Sequence, residues 1–70
     1  MIDVIHRALS AGKTLRIIYI DEDGQISDRR IRVSSLRTKK DGKEIVMAHD
    51  LALGAIRSFH IDRILAAEID

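Results

Sequence analysis

Arginine side chains are concentrated in one short segment of the chain, and their chemistry suggests phosphate recognition. Residues 29–43 carry seven basic side chains and one acidic one, although the net charge of the whole chain is only +1. A guanidinium group on rigid backbone can hold a phosphate through two parallel hydrogen bonds. We therefore expect Arg29, Arg30 and Arg32, in a strand-like pattern, to bind a phosphate-bearing ligand. The structural alternative is that Arg30 and Arg32 solvate an edge strand and discourage aggregation.

Two arginines nearer the C-terminus, Arg57 and Arg63, extend this predicted ligand site. Their structural alternative is an ion pair that ties the last loop to the sheet. Such a pair could join Arg63 to Asp62 or to Asp50. The sequence leaves both readings open.

The aromatic side chains could add base stacking to this site, but there are only two, Tyr19 and Phe59. Stacking of a nucleic-acid base on an aromatic ring contributes about 1–3 kcal/mol. Both rings also fall among apolar residues in a core-like pattern, which favours burial. We include Tyr19 among the candidate ligand residues and expect Phe59 to be buried.

The histidines give no indication of a metal site. His6, His49 and His60 have no short metal-ligand spacing, and the chain has no cysteine. We therefore expect no metal ion and no cofactor. His49 and His60 are candidate ligand residues, because a nearby phosphate would favour their protonated form.

Catalysis has little support in the sequence. No nucleophile elbow, glycine-rich phosphate loop or zinc-binding helix motif is present. The acidic run Asp21–Asp23 precedes a glycine and predicts an exposed hairpin tip. A small nucleic-acid-processing enzyme would need His49, His60 and Asp50 around a metal, which is the weakest of three hypotheses. We predict no catalytic residue.

The hydrophobic pattern predicts one helix followed by a strongly bent antiparallel sheet within one domain, residues 1–70. Apolar residues recur at helical spacing over residues 2–11, and Gly12 is suited to ending a helix. Alternating and β-branched residues predict five strands between residues 14 and 69. These strands are residues 14–20, 25–34, 44–49, 55–60 and 64–69. The last of these segments could also be a short helix. Lysines 39, 40 and 43 lie at a second predicted hairpin tip, where we expect them to be solvated.

Length and composition limit the classes of protein that this chain can belong to. A 70-residue chain has a marginal core, so we expect a homo-oligomer or a partner protein. The absence of cysteine is typical of the reducing cytoplasm. No apolar run approaches the roughly 20 residues of a membrane span, so no membrane is expected.

The order of these features resembles a WYL domain, a module common in bacterial transcriptional regulators. The matching pieces are residues 15–19 with Asp23-Gly24, Arg29–Val33, Leu36 and Ala48–Asp50. The most specific piece is Arg57–Ile64, which is similar to the family's Arg-x-Phe-Arg-Leu-Asp-Arg-Ile. The Trp-Tyr-Leu triplet that names the family is replaced by Glu44-Ile45-Val46.

The resemblance implies an Sm-like, SH3-type β-barrel with a leading helix and a role in sensing ligands. We expect a stand-alone regulatory module that binds a nucleotide or single-stranded DNA or RNA, without the family's usual N-terminal DNA-binding domain. The alternative is a protein-interaction or oligomerisation module with no nucleic-acid ligand.

Overall fold

The computed structural model describes all 70 residues as one helix and five antiparallel strands. The elements are α1 (Ile2–Ala11), β1 (Leu15–Ile20), β2 (Ile26–Thr38), β3 (Glu44–Asp50), β4 (Ala55–His60), a short 3-10 helix (Ile61–Arg63) and β5 (Ile64–Ile69). The predicted α+β fold class is confirmed, and the C-terminal segment is a strand rather than a helix. Neither helical segment is long and apolar enough to cross a membrane.

Helix α1 packs against strands β2 and β5. Ile5 and Ala8 are the buried residues of this helix, because their spacing places them on the same side. Gly12 adopts the left-handed conformation, with a φ of 63°. The helix ends there, and the backbone N–H of Lys13 donates to the carbonyl of Ala8 at 3.0 Å.

Strand β2 lies in the middle of the sheet, whose strand order is β4-β3-β2-β1-β5. Strand β2 as a whole is thus not an edge strand. Its N-terminal half pairs with β1 and its C-terminal half with β3, so Arg30 and Arg32 each have a neighbouring strand on one flank only. At 13 residues, β2 is also longer than predicted. Its pairing with β3 shifts between Val33 and Ser35, and a bulge of this kind bends a strand and increases its twist.

The core lies on the face of the sheet that meets α1, which we call the inner face. Its largest completely buried side chains are Leu15, Ile17, Ile31 and Val46, and Phe59 is almost as buried. Each such side chain contributes about 1.5–3 kcal/mol through removal from water. Alternate residues of the same strands point to the opposite, outer face.

The sheet bends strongly but does not close into a continuous ladder, since β4 and β5 do not pair. The C-terminal end of β4 instead approaches β1 through a side chain. The backbone N–H of His60 donates to the hydroxyl of Tyr19 at 3.0 Å. The rings of Tyr19 and Phe59 meet edge to face, with centroids 5.1 Å apart. The expected SH3/Sm-like barrel is therefore an open, strongly bent version of that fold.

We expect Tyr19→Phe to lower the free energy of unfolding by about 1 kcal/mol, because it deletes one hydrogen bond but keeps the ring. Urea denaturation followed by circular dichroism measures this change. The control Ile26→Ala, at an exposed position, should change it by less than about 0.5 kcal/mol. Equal stability of Tyr19→Phe and the unmodified protein would show that the hydroxyl does not hold β4 to β1.

Candidate functional site

The four arginines predicted to bind one phosphate point to opposite faces of the sheet. Arg29 is opposite buried Ile17 and therefore lies on the inner face. Arg57 is opposite buried Ala48 and shares that face. Arg30 and Arg32 fall at the alternate positions of β2 and point outward. The structure thus does not bring the four guanidinium groups together.

Arg29 is occupied by a structural ion pair. Its Nη1 donates to Oδ2 of Asp50 at 2.8 Å, and its Nε donates to Oγ of Ser27 at 3.0 Å. The guanidinium also lies over the ring of Phe59, 5.7 Å from the centroid, which is within the range of a cation–π contact. Arg29 is therefore held in the fold and is a poor candidate for contacting a ligand.

Asp50 is the only buried polar or charged residue, with 1% of its surface exposed. Burial alone would raise the pKa of Asp50. The hydrogen bond from Arg29 and the backbone N–H groups of Leu53 and Ala52 outweigh it, so the pKa lies below its usual value. The carboxylate suggested as a partner of Arg63 is thus the partner of Arg29. The sequence did contain a signal for the burial of Asp50, because it follows Val46 and Ala48 at alternate positions of β3 and so lies on the same face.

Arg30 is also paired with a carboxylate. Its Nε donates to Oδ2 of Asp70 at 2.6 Å. The neighbouring Arg16 binds both carboxylate oxygens of Asp28, and this contact raises the pKa of Arg16 and lowers that of Asp28. Sequence reasoning did not identify these pairs, although Arg16 and Asp28 lie on adjacent strands.

Arg57, His60 and Arg63 come together at one cavity of about 300 Å³, which we call the Arg57 cavity. Arg57 and Arg63 form no ion pair within the protein, unlike Arg29 and Arg30. Ser58 and Tyr19 also line the cavity. Half of the eight predicted ligand residues therefore contribute to it.

The Arg57 cavity also has an acidic wall. It is formed by Asp21, Glu22 and Asp23 from the turn between β1 and β2. One oxygen of Asp21 accepts the backbone N–H groups of Asp23 and Gln25, both at 2.9 Å, so Asp21 stabilises the turn. Glu22 and Asp23 make no ion pair. The cavity thus combines unpaired guanidinium groups with unpaired carboxylates.

The two aromatic residues belong to the core, although Tyr19 also lines the Arg57 cavity. Tyr19 is only 8% exposed and Phe59 only 2%, so the pattern that favoured burial is confirmed. Arg32 and His49 are directly opposite each other on the outer face and are exposed. Neither lines the Arg57 cavity.

A larger cavity of about 770 Å³ lies beside the Arg29–Asp50 pair. Its arginines are Arg16, Arg29 and Arg30, and each already has a carboxylate partner. It is therefore a weaker candidate for an anionic ligand than the smaller Arg57 cavity, despite its size.

The family model of the WYL domain matches residues 1–69, and the chain therefore belongs to the WYL domain family. Its fold is similar to the solved structure of proteasome accessory factor B/C (PafBC) of Arthrobacter aurescens, with a TM-score of 0.88. The two sequences are 21% identical, and the match covers 99% of this chain but 11% of the PafBC chain. Among curated proteins, none matches this chain. The resemblance noted from the sequence is thus confirmed at the level of family and fold.

We expect Asp50→Asn to lower the free energy of unfolding at neutral pH by about 3 kcal/mol, since it breaks a buried ion pair. The folded-state pKa of Asp50 is depressed, so its contribution is full above about pH 4 and is lost as pH falls through the folded-state value. The variant should therefore show a flatter loss of stability in acid, measured by urea denaturation at several pH values.

The exposed pair of Arg16 and Asp28 provides the control for this experiment. Asp28→Asn should lower stability only slightly at neutral pH and remove an equally small part of the acid dependence, because the pKa of Asp28 is also lowered but the pair is exposed to solvent. If Asp50→Asn behaved like Asp28→Asn at neutral pH, the buried pair would not be important for stability.

Proposed function

We propose that this WYL domain is a non-catalytic, ligand-sensing module of transcription regulation that works in the cytoplasm. Its ligand is a nucleotide or a single-stranded nucleic acid, and the phosphate binds in the Arg57 cavity. One observation carries this proposal: Arg57 and Arg63 have no carboxylate partner and line the same cavity as His60.

Arg57, Arg63 and His60 could each donate hydrogen bonds to a phosphate in the cavity. A guanidinium group offers a fork of N–H donors that fits two phosphate oxygens. Arg57 projects from strand β4, and Arg63 from the adjacent 3-10 helix, so both are carried by ordered backbone. The imidazole of His60 lines the same cavity and offers a further N–H donor to a phosphate between them.

The acidic wall favours a whole nucleotide over a free phosphate. Unpaired carboxylates repel an isolated anion, but they accept hydrogen bonds from hydroxyl and amino groups. Glu22 and Asp23 would accept hydrogen bonds from the sugar hydroxyls or the base amino group of a nucleotide whose phosphate contacts Arg57. The cavity volume of about 300 Å³ is at the lower end of small-molecule sites, which fits one nucleotide unit.

We expect adenosine monophosphate to bind more tightly than inorganic phosphate, and both to bind more weakly as salt is raised. The double variant Arg57→Gln/Arg63→Gln should lose at least about tenfold in affinity for the nucleotide, the equivalent of one charge-assisted hydrogen bond. Isothermal titration calorimetry at low salt measures both effects.

Arg7→Gln/Lys13→Gln is the matched control, because it removes the same charge from exposed positions outside the cavity. Its affinity should equal that of the unmodified protein. Equal losses in the two double variants would mean that only net charge matters, and the absence of nucleotide binding at low salt would refute the proposed site.

A second candidate function is self-association, and a specific observation favours it. Ile26 and Ile56 are each 64% exposed, and Leu65 is 53% exposed. Ile56 and Leu65 belong to β4 and β5, whose outer edges have no neighbouring strand. An open edge flanked by exposed apolar side chains is suited to pairing with a strand of a second copy.

We expect the sedimentation coefficient to rise with protein concentration if this second function holds. Leu65→Lys should abolish the rise, because charge on an edge strand opposes pairing. Ser10→Lys, which adds the same charge on exposed helix α1, should leave it unchanged. A coefficient independent of concentration would exclude self-association through these edges.

A further inference from the structure

The hairpin that joins β2 to β3 is a second concentration of positive charge, separate from the Arg57 cavity. It carries Arg37, Lys39, Lys40 and Lys43, all exposed and none in an ion pair. We propose that this basic hairpin, residues 37–43, binds the phosphate backbone of double-stranded DNA without sequence preference. The inference does not depend on the ligand of the Arg57 cavity.

Backbone hydrogen bonds give the basic hairpin a defined shape. The N–H of Lys39 donates to the carbonyl of Lys43 at 2.8 Å, and the N–H of Gly42 donates to the carbonyl of Lys39 at 2.9 Å. Gly42 has a φ of 86°, which a side chain would make costly. The tip therefore presents its cations from an ordered turn rather than from a disordered tail.

The acidic groups of this region offset only part of the positive charge and form no ion pair with the cations. Asp41 accepts the backbone N–H of Lys43 at 3.0 Å, and this hydrogen bond lowers the pKa of Asp41. Asp41 thus remains ionised and stabilises the turn itself. Glu44, at the base of the hairpin, is exposed and forms no ion pair with the arginine or the lysines. The cations remain available to an external polyanion.

The residues that line the hairpin surface indicate which kind of polyanion could bind there. An open cavity of about 560 Å³ is lined by Arg37, Lys39 and Lys40 together with Asp41 and Thr38, and its only hydrophobic lining residue is Ile45. There is no aromatic ring on which unstacked bases could lie, which disfavours single strands. There is also no bulky apolar tip to insert into a membrane or to anchor a protein partner.

Double-stranded DNA is the polyanion that fits this surface, because its affinity for a cationic surface is electrostatic and needs no stacking or apolar contact. B-form DNA carries about one charge per 1.7 Å of axis, a dense array of phosphates for a small cationic tip. Lysine ammonium groups act as point charges on flexible stems, so they contact phosphates without reading bases. The hairpin would hold the domain close to DNA of any sequence.

The two anion-binding surfaces are neighbours, so the experiment has to separate them. Ile45 lines the hairpin cavity and is paired with His60, which lines the Arg57 cavity. Substitutions at Lys39 and Lys40 remove charge from the hairpin alone, and neither side chain makes a hydrogen bond that the fold needs.

Fluorescence anisotropy with a short labelled DNA duplex of arbitrary sequence, titrated over a range of salt concentrations, tests the inference. Four phosphate contacts should give a slope of log affinity against log salt of about −3.6. Lys39→Gln/Lys40→Gln should reduce the slope to about −1.8. The matched control Arg7→Gln/Lys13→Gln and the cavity variant Arg57→Gln/Arg63→Gln should both keep the slope of the unmodified protein.

Several results would overturn the inference. Among them are no duplex binding at low salt, tighter binding of a single strand than of a duplex of the same length, and equal slopes for the hairpin variant and its control. Binding of anionic lipid vesicles or polyglutamate as tight as that of the duplex would also overturn it. Adenosine monophosphate binding in the hairpin variant tests the Arg57 cavity separately, since that affinity should be unchanged.

Discussion

The buried carboxylate of Asp50 is the constraint on which the arrangement of the β-sheet depends. A carboxylate that is 1% exposed is stable only if its charge and its acceptor sites are satisfied. Arg29 on β2 and the backbone of the following loop supply those partners. The N–H of Gly54 also donates to the Asp50 carbonyl at 2.8 Å, which turns the chain into β4. Asp50 therefore shapes the loop that leads into β4, and the ladder between β3 and β4 fixes the rest of that strand.

Pairing with a carboxylate also distinguishes the arginines that make contacts within the fold from those available to a ligand. Arg16, Arg29 and Arg30 each have an acidic partner, which is buried for Arg29 and exposed to solvent for Arg16 and Arg30. Arg57 and Arg63 have none. Density of positive charge along the chain is thus a poor guide to a binding surface. Successive residues of β2 alternate between the two faces, and its neighbours bring carboxylates to several of them.

The sequence predicted the elements better than it predicted the site. The limits of α1, β4 and β5 agree with the structure, because apolar periodicity and glycine positions define them locally. Strand β2 was predicted to end at residue 34 but continues to Thr38, since its bulge interrupts the alternation near Ser35. The Arg29–Asp50 pair joins residues 21 positions apart, and no local pattern encodes such a contact. The convergence of Arg57, His60 and Arg63 likewise depends on the bend of the sheet.

A continuous series of side-chain contacts links the core to the Arg57 cavity. Asp50 holds Arg29, whose guanidinium lies over one side of the Phe59 ring. The Tyr19 ring packs edge to face with Phe59, and its hydroxyl accepts the N–H of His60 at the cavity. Each link is a contact between buried or half-buried groups, which close packing allows to move very little. The backbone at His60, between Arg57 and Arg63, is therefore anchored to the core. A binding group supported in this way loses less conformational entropy when a ligand arrives than one carried by a flexible loop.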